Sequence, residues 1–201
     1  MNWSSVARYV VPWYVVRWYI LALTLLGLDQ WSKHIASANL DYGVPVEITS
    51  FFNFTLAHNP GAAFSFLSDA GGWQHWFLGG IAGVVSVVLV VWISRLRAGS
   101  LLLGAGLALV LSGAVGNLID RIHFGYVVDF IQLHYQHWYW PAFNVADSAI
   151  TVGAVLLVID SFYGPSETSA AGDVSADNVA VDDAVVDSAE ESTPEVSRER
   201  D

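Results

Sequence analysis

The chain has 201 residues and a net charge of −11, with 54% hydrophobic and only 13% charged residues. Soluble domains carry roughly 25% charged residues, so this composition favours a membrane protein over a soluble one. The sequence contains no cysteine, which excludes disulfides, thiol catalysis and cysteine-ligated metals.

The first predicted element is a transmembrane helix over about residues 13–35. Its apolar pattern is weaker than that of the other three helices. Arg17 and Asp29 leave only a short uncharged stretch between them. The helix must therefore carry Asp29, and Lys33 with it, at the far membrane face. Residues four apart lie on one side of a helix, so we expect an ion pair between them. No small-residue cleavage site follows, so we do not expect a cleavable signal peptide.

The loop after this helix is predicted to form two short strands beside the membrane surface. Residues 44–48 and 51–56 are rich in β-branched and aromatic residues, which is typical of strands. Asn59 follows, and then the small residues 61–63. These small residues fit two hypotheses equally well: room for a substrate close to the backbone, or a turn into a short helix.

Three further segments are long enough to cross a bilayer, which takes roughly 20 residues. They are residues 73–94, 99–119 and 141–163. Small residues spaced four apart on two of them, Gly79 with Gly83 and Ser112 with Gly116, indicate close helix packing. The predicted fold is therefore an all-α membrane protein with four transmembrane helices and a small outward-facing subdomain that contains β-strands.

The few basic residues predict the orientation. Arg8 and Arg17 precede the first helix, and Arg95 and Arg97 lie between the second and the third. The positive-inside rule places both segments in the cytoplasm. Both termini are then cytoplasmic, and the loops after the first and the third helix face outward.

Residues 164–201 form the predicted tail. They hold eleven acidic residues, two arginines and no aromatic residue, whereas residues 1–163 hold eight acids and six bases. Such a segment cannot bury enough apolar surface to offset its chain entropy, so we expect it to be disordered. The acidity belongs to this tail and indicates nothing about a substrate.

Polar residues collect at the predicted outward ends of the helices. They are Asp29, Asn59, Asn117, Asp120, Arg121, Asp129, Asn144 and Asp147. Charged groups at this depth need partners or a function. Any one of them is as readily explained by an ordinary loop position, in contact with water and headgroups, as by a functional role. Eight of them on one face favour a functional site.

Two of the aspartates suit proton chemistry. Asp129 lies in a hydrophobic run, and Asp147 lies among apolar neighbours on the same helix face as Asn144. Burial disfavours the charged form of a carboxylate, and two close carboxylates tend to share one proton. In an aspartic protease, one such group acts as a base towards water and the other as an acid towards the amide.

Other chemistries fit the sequence less well. His134 and His137 are three apart, but no H-E-x-x-H motif occurs, and we interpret them as interfacial side chains. No G-x-S-x-G motif occurs either. A proton relay in a transporter remains an alternative, as does a scaffolding role. The gathering of the carboxylates at one face and the lack of a visible inverted repeat weigh against the transporter.

Five segments, taken in chain order, resemble the motif set of the signal peptidase II (lipoprotein signal peptidase) family. They are DQWSK at 29–33, NPGAAFS at 59–65, GAVGNLIDR at 113–121, VDF at 128–130 and FNVADS at 143–148. One of these motifs alone would be weak, but five in register are specific. The resemblance covers residues 18 to about 163 and leaves out the first 17 residues and the tail.

The resemblance implies an aspartic endopeptidase of the bacterial cell membrane with its active site at the outer face. It would cut a prolipoprotein just before the diacylglyceryl-modified cysteine, without a metal or organic cofactor. The implied catalytic pair is Asp129 and Asp147. Residues that position substrate or support the pair are Asn59, Asn117, Arg121 and Asn144, and more structural polar positions are Asp29, Lys33 and Asp120. The expected partners are prolipoproteins and membrane lipid but no nucleic acid, and we expect a monomer.

Overall fold

The structure is a computed structural model that describes residues 12–61 and 72–163. Three sequence predictions therefore fall wholly or partly outside the described residues. They concern the tail over 164–201, Arg8 as an orientation signal, and the small residues 62 and 63.

Four helices form the body of the described chain. They are α1 (Trp13–Asn39), α2 (Gln74–Ser94), α3 (Leu101–Phe124) and α4 (Val145–Tyr163). Three of them, α2, α3 and α4, are long and apolar enough to cross a membrane. The helix α1 does not meet the same standard because Arg17, Asp29 and Lys33 lower its hydropathy. Its crossing of the membrane stays a prediction.

The helix α3 lies at the centre of the bundle. In its most apolar stretch 56% of the residues are buried, against 22% in α2 and 17% in α4, and α3 packs against each of the other three helices. Small residues permit this packing. A Cβ atom on Gly113 would collide with the backbone of Ala146 on α4, and one on Gly104 would collide with the ring of Trp18 on α1.

An antiparallel sheet with the strand order β1-β2-β3-β4 lies at one end of the bundle. Its strands are β1 (Val46–Thr49), β2 (Phe52–Asn59), β3 (Val127–Tyr135) and β4 (Trp138–Tyr139). The first two were predicted to within about three residues, but β3 and β4 were not. The structure is thus mostly helical with a small antiparallel sheet, in agreement with the predicted helical body and its β-containing subdomain.

The pairing of β2 with β3 brings the two predicted outward loops together. In this register Ala57 lies opposite Asp129, and Asn59 lies opposite Val127. The segment that carries Asn59 is thus placed beside the segment that carries Asp129, although the two are far apart in the sequence.

Candidate active site

The helix α4 begins with a reciprocal pair of hydrogen bonds between Asn144 and Asp147. The N–H of Asp147 donates to Asn144 Oδ1 over 2.8 Å, and the N–H of Asn144 donates to Asp147 Oδ2 over 3.2 Å. These bonds form a capping box, which satisfies donors that a helix N-terminus otherwise leaves without partners. The local sequence N-V-A-D thus holds Asp147 in the first turn, where the helix dipole favours negative charge.

The side chain of Asn144 also links α4 to β3. It is fully buried, and its Nδ2 donates to Asp129 Oδ1 over 2.7 Å. The same nitrogen lies 3.2 Å from the carbonyl oxygen of Val128. One asparagine therefore hydrogen-bonds to both Asp129 and Asp147, which brings the two aspartates into one site.

Two further asparagines donate hydrogen bonds to these carboxylates. Asn59 Nδ2 donates to Asp129 Oδ2 over 3.2 Å, and Asn117 Nδ2 donates to Asp147 Oδ1 over 2.8 Å. Each of the four carboxylate oxygens accepts an N–H from an asparagine. All four of these donors are electrically neutral groups.

The setting of Asp129 changes its acidity. Burial, and then the negative charge of Asp147, raise the pKa of Asp129 to about 7. Its hydrogen bonds from Asn59 and Asn144 act in the opposite direction but do not outweigh burial. The residue is only 2% exposed. Asp129 therefore exchanges a proton near neutral pH, as a carboxylate in a coupled pair can.

A second group of predicted residues forms an ion cluster around Lys33. Its Nζ lies 2.9 Å from Asp29 Oδ2 and 2.9 Å from Asp120 Oδ2. The expected pair with Asp29 is confirmed, and Asp120 is an additional partner. The N–H of Ala146 donates to Asp29, and the N–H of Val128 donates to Asp120. The cluster thus holds the segments that carry both Asp147 and Asp129.

Gln30 belongs to the ion cluster, and sequence reasoning missed it. Its Nε2 donates to Asp120 Oδ1 over 3.0 Å and lies 3.2 Å from both Asp29 Oδ2 and the Gly116 carbonyl oxygen. A signal was present, because a polar amide on a helix at membrane depth needs partners as a charged residue does.

Arg121 binds backbone carbonyl groups near the pair. Its two terminal nitrogens donate to the carbonyl oxygens of Gly61 (3.0 Å) and Asn117 (3.2 Å). The buried Nε has no hydrogen-bond partner among the described residues. The N–H of Gly61 donates to Asn59 Oδ1 over 3.1 Å, so Asn59 and Arg121 both hold the start of the small-residue segment.

A cavity of about 790 Å³ opens beside the two aspartates. Its polar lining consists mainly of Asn59, Asn117, Arg121, Asp129 and Asp147, and its apolar lining includes Leu133, Trp140, Ile150 and Val152. Neither Lys33 nor its two aspartate partners line it. The predicted site residues therefore separate into a group on the cavity and a group packed behind it.

Comparisons with known proteins relate this chain to one family. The sequence profile of signal peptidase (SPase) II matches residues 21–163. The lipoprotein signal peptidase of Acinetobacter baylyi is 57% identical over 136 residues, which cover 68% of this chain and 76% of that protein. The lipoprotein signal peptidase of Cellvibrio japonicus is 55% identical over 148 residues, which cover 74% and 87%. A solved bacterial membrane enzyme structure matches with a TM-score of 0.65 at 29% identity, covering 75% of this chain and 93% of that one.

Proposed function

This chain belongs to the signal peptidase II family, and we propose that it removes the signal peptide from prolipoproteins by cutting just before a diacylglyceryl-modified cysteine. Membership in a peptidase family decides against the transporter and the scaffold as the main function. The catalytic pair is Asp129 and Asp147. The observation that carries this assignment is the hydrogen bonding of Asn144 to both carboxylates at the edge of the cavity.

The pair acts on one water molecule. Its ionised carboxylate takes a proton from the water as the water oxygen attacks the scissile carbonyl carbon, and its protonated carboxyl supplies a proton to the substrate. This chemistry requires one proton on the pair, which the pKa of about 7 for Asp129 supports.

The other predicted residues take two kinds of role. Asn59 and Arg121 bind the substrate backbone, because both line the cavity beside the pair and the Nε of Arg121 has no hydrogen-bond partner among the described residues. Asn117 and Asn144 orient the two carboxylates. Behind the site, the cluster of Lys33 with Asp29 and Asp120 has a structural role, since it holds backbone on either side of the pair.

The site faces outward in a monomeric enzyme whose termini are both cytoplasmic. The apolar wall of the cavity suits a substrate that arrives from the lipid phase with its acyl chains attached. The chain has no cysteine, so single-cysteine variants at positions 97 and 170 report orientation without background. A membrane-impermeant thiol reagent added from outside should leave both unlabelled, and labelling of either would overturn this orientation.

Cleavage of a lipid-modified precursor peptide tests the proposed reaction. The matched control is the same peptide with an unmodified cysteine, which should be cut far more slowly. In ¹⁸O-labelled water, the released signal peptide should gain one heavy oxygen in its new carboxylate, because water is the nucleophile. A cut elsewhere, equal cleavage of the unmodified peptide or the absence of the label would overturn the proposal. Truncation after Gly164 should leave this activity intact, since a cytoplasmic tail cannot reach an outward site.

A further inference from the structure

We infer that the proton of the aspartate pair rests on Asp129, while Asp147 is kept ionised by Lys33 acting through the amide of Asn117. The chemical roles that follow rest on the proposed function. The location of the proton does not, because it depends only on the contacts of the two carboxylates.

The orientation of the Asn117 amide is the first step. Its Oδ1 accepts from Lys33 Nζ over 3.0 Å and lies 3.3 Å from Asn144 Nδ2. A reversed amide would place its NH₂ group against the lysine ammonium, which has only donors. Lys33 therefore fixes the amide so that Nδ2 points at Asp147 Oδ1, 2.8 Å away. A donor polarised by a cation behind it stabilises an anion more than an isolated amide does.

The position of Asp147 in α4 is the second step. It accepts the N–H of Asn144 in the first helical turn, where the dipole favours a negative charge. The oriented amide of Asn117 and the first turn of α4 therefore both favour the ionised form of Asp147.

Asp129 has a different setting. It lies in a strand between the buried residues Val128 and Phe130, and strands provide only a small dipole. Asp129 accepts hydrogen bonds from Asn59 and Asn144. Among the described residues, neither of these asparagine side chains is hydrogen-bonded to a cation. Burial raises the pKa of Asp129 to about 7, in keeping with a proton on this residue.

Several charged or titratable groups surround the pair from the elements packed against it. They are Lys33 and Asp29 on α1, Asp120 and Arg121 on α3, and His58 on β2. Only Lys33 among them is joined through one side chain to a single member of the pair. It is therefore a positioning residue rather than a catalytic one.

This assignment gives each aspartate one role. Asp147 takes a proton from water as the new C–O bond forms, and Asp129 gives its proton to the scissile carbonyl oxygen, which yields a gem-diol. When the C–N bond breaks, Asp147 protonates the departing amine and a hydroxyl of the gem-diol returns a proton to Asp129. The products are a carboxylic acid and an amine, and the pair regains its starting state.

Infrared difference spectroscopy of the purified protein tests where the proton lies, without any substrate. A protonated carboxyl has a C=O stretch that disappears on ionisation. We expect the wild type to lose such a band with a midpoint near the value of about 7 for Asp129. In Asp129→Asn this band should be absent. In Asp147→Asn it should persist with a lower midpoint, because burial is the larger cause of the raised pKa and remains. Loss of the band in Asp147→Asn, or its survival in Asp129→Asn, would overturn the assignment.

Lys33→Gln tests the positioning role. Removing the cation should move the midpoint of the band to higher pH, whereas Ser32→Ala on the same helix should leave it in place. If Lys33→Gln does not fold, Asn117→Leu makes the same test, since it removes the donor that Lys33 orients. An unmoved midpoint in a folded variant would show Lys33 to be structural only. If Asp129→Asn still cleaves precursor at more than about a tenth of the wild-type rate, the catalytic assignment of the pair fails while the infrared result on the proton stands.

Discussion

Two pairs of aspartates with different settings lie at the sheet end of the bundle. Lys33 stands between Asp29 and Asp120, 2.9 Å from an oxygen of each. Asn144 stands between Asp129 and Asp147, and it offers only neutral donors. The first pair is packed away from the cavity, whereas the second pair lines it.

The difference shows how partners and access decide what a carboxylate can do. An ionised carboxylate is costly to bury unless it is paired with a charge and hydrogen-bonded. A lysine offsets that cost for Asp29 and Asp120, and the three side chains hold α1 and α3 together. Amides offset it only in part for Asp129, which therefore holds a proton near neutral pH.

The largest expected effect comes from removing proton transfer at the cavity. Asp129→Asn and Asp147→Asn preserve shape but cannot exchange a proton, so each should lower kcat by about 10²–10⁴-fold while the melting temperature changes little. The double variant should be only slightly slower, because residues that act as a unit are not additive. The exposed Asp41→Asn is the control. A rate above about a tenth of wild type in either single variant would contradict the catalytic pairing.

Substitutions in the ion cluster should lower the stability of the protein, and the activity should fall as a consequence. Asp29→Ala removes one partner of Lys33 and the acceptor of the Ala146 N–H, which should cost about 3–5 kcal/mol in unfolding free energy and lower the activity with it. Thermal unfolding in detergent measures the effect, with Asp160→Ala at the other end of α4 as the control. If cleavage were abolished at an unchanged melting temperature, Asp29 would instead act directly in the site.

The pH dependence of the wild type should report the cavity pair. A raised pKa of about 7 at Asp129 means that the required proton is lost as the pH rises through that value. Above it, kcat should fall about tenfold per pH unit on the alkaline limb of a bell-shaped profile that belongs to the pair. Chelators should leave the profile unchanged. An activity that stayed constant well above pH 7 would contradict a protonated member of the pair.

The same shift predicts how stability depends on pH. The folded state binds the Asp129 proton more tightly than the unfolded state does, so this contribution is fully present below the ordinary Asp range and is lost as the pH rises through about 7. Unfolding measured across this range should show the decline in the wild type and a smaller one in Asp129→Asn. Equal declines in the two proteins would assign the dependence to other groups.

A smaller effect is expected from packing alone. An added Cβ on Gly116 would lie 2.6 Å from Asp29 Oδ2, whereas one on Gly79 would lie 3.5 Å from a Leu118 methyl group, an ordinary contact. Gly116→Ala should therefore lower the unfolding free energy by about 1–3 kcal/mol by displacing the ion cluster. Gly79→Ala is the matched control and should be close to neutral. Equal stability of the two variants would show that the cluster tolerates displacement.

Much of this arrangement followed from local sequence. The apolar segments predicted α2, α3 and α4 to within about five residues, because length and hydropathy are properties of one segment. The i, i+4 spacing of Asp29 and Lys33 predicted their ion pair, because a helix sets that distance by itself. The five ordered motifs identified the family, and every charged residue and every asparagine that they contain was named in advance, whereas Gln30 was not.

Only the tertiary structure decided which polar groups meet. The strand β3 pairs with β2, which is far from it in the sequence, and the side chain of Asn144 reaches from α4 to Asp129. Lys33 contacts Asp120 and Asn117 on a different helix. No local period encodes such contacts, since they depend on how helices far apart in the sequence pack and on which buried donors then find acceptors. The sequence thus determined the helices and the inventory of the site, and packing determined which aspartates lie beside a lysine and which lie beside asparagines.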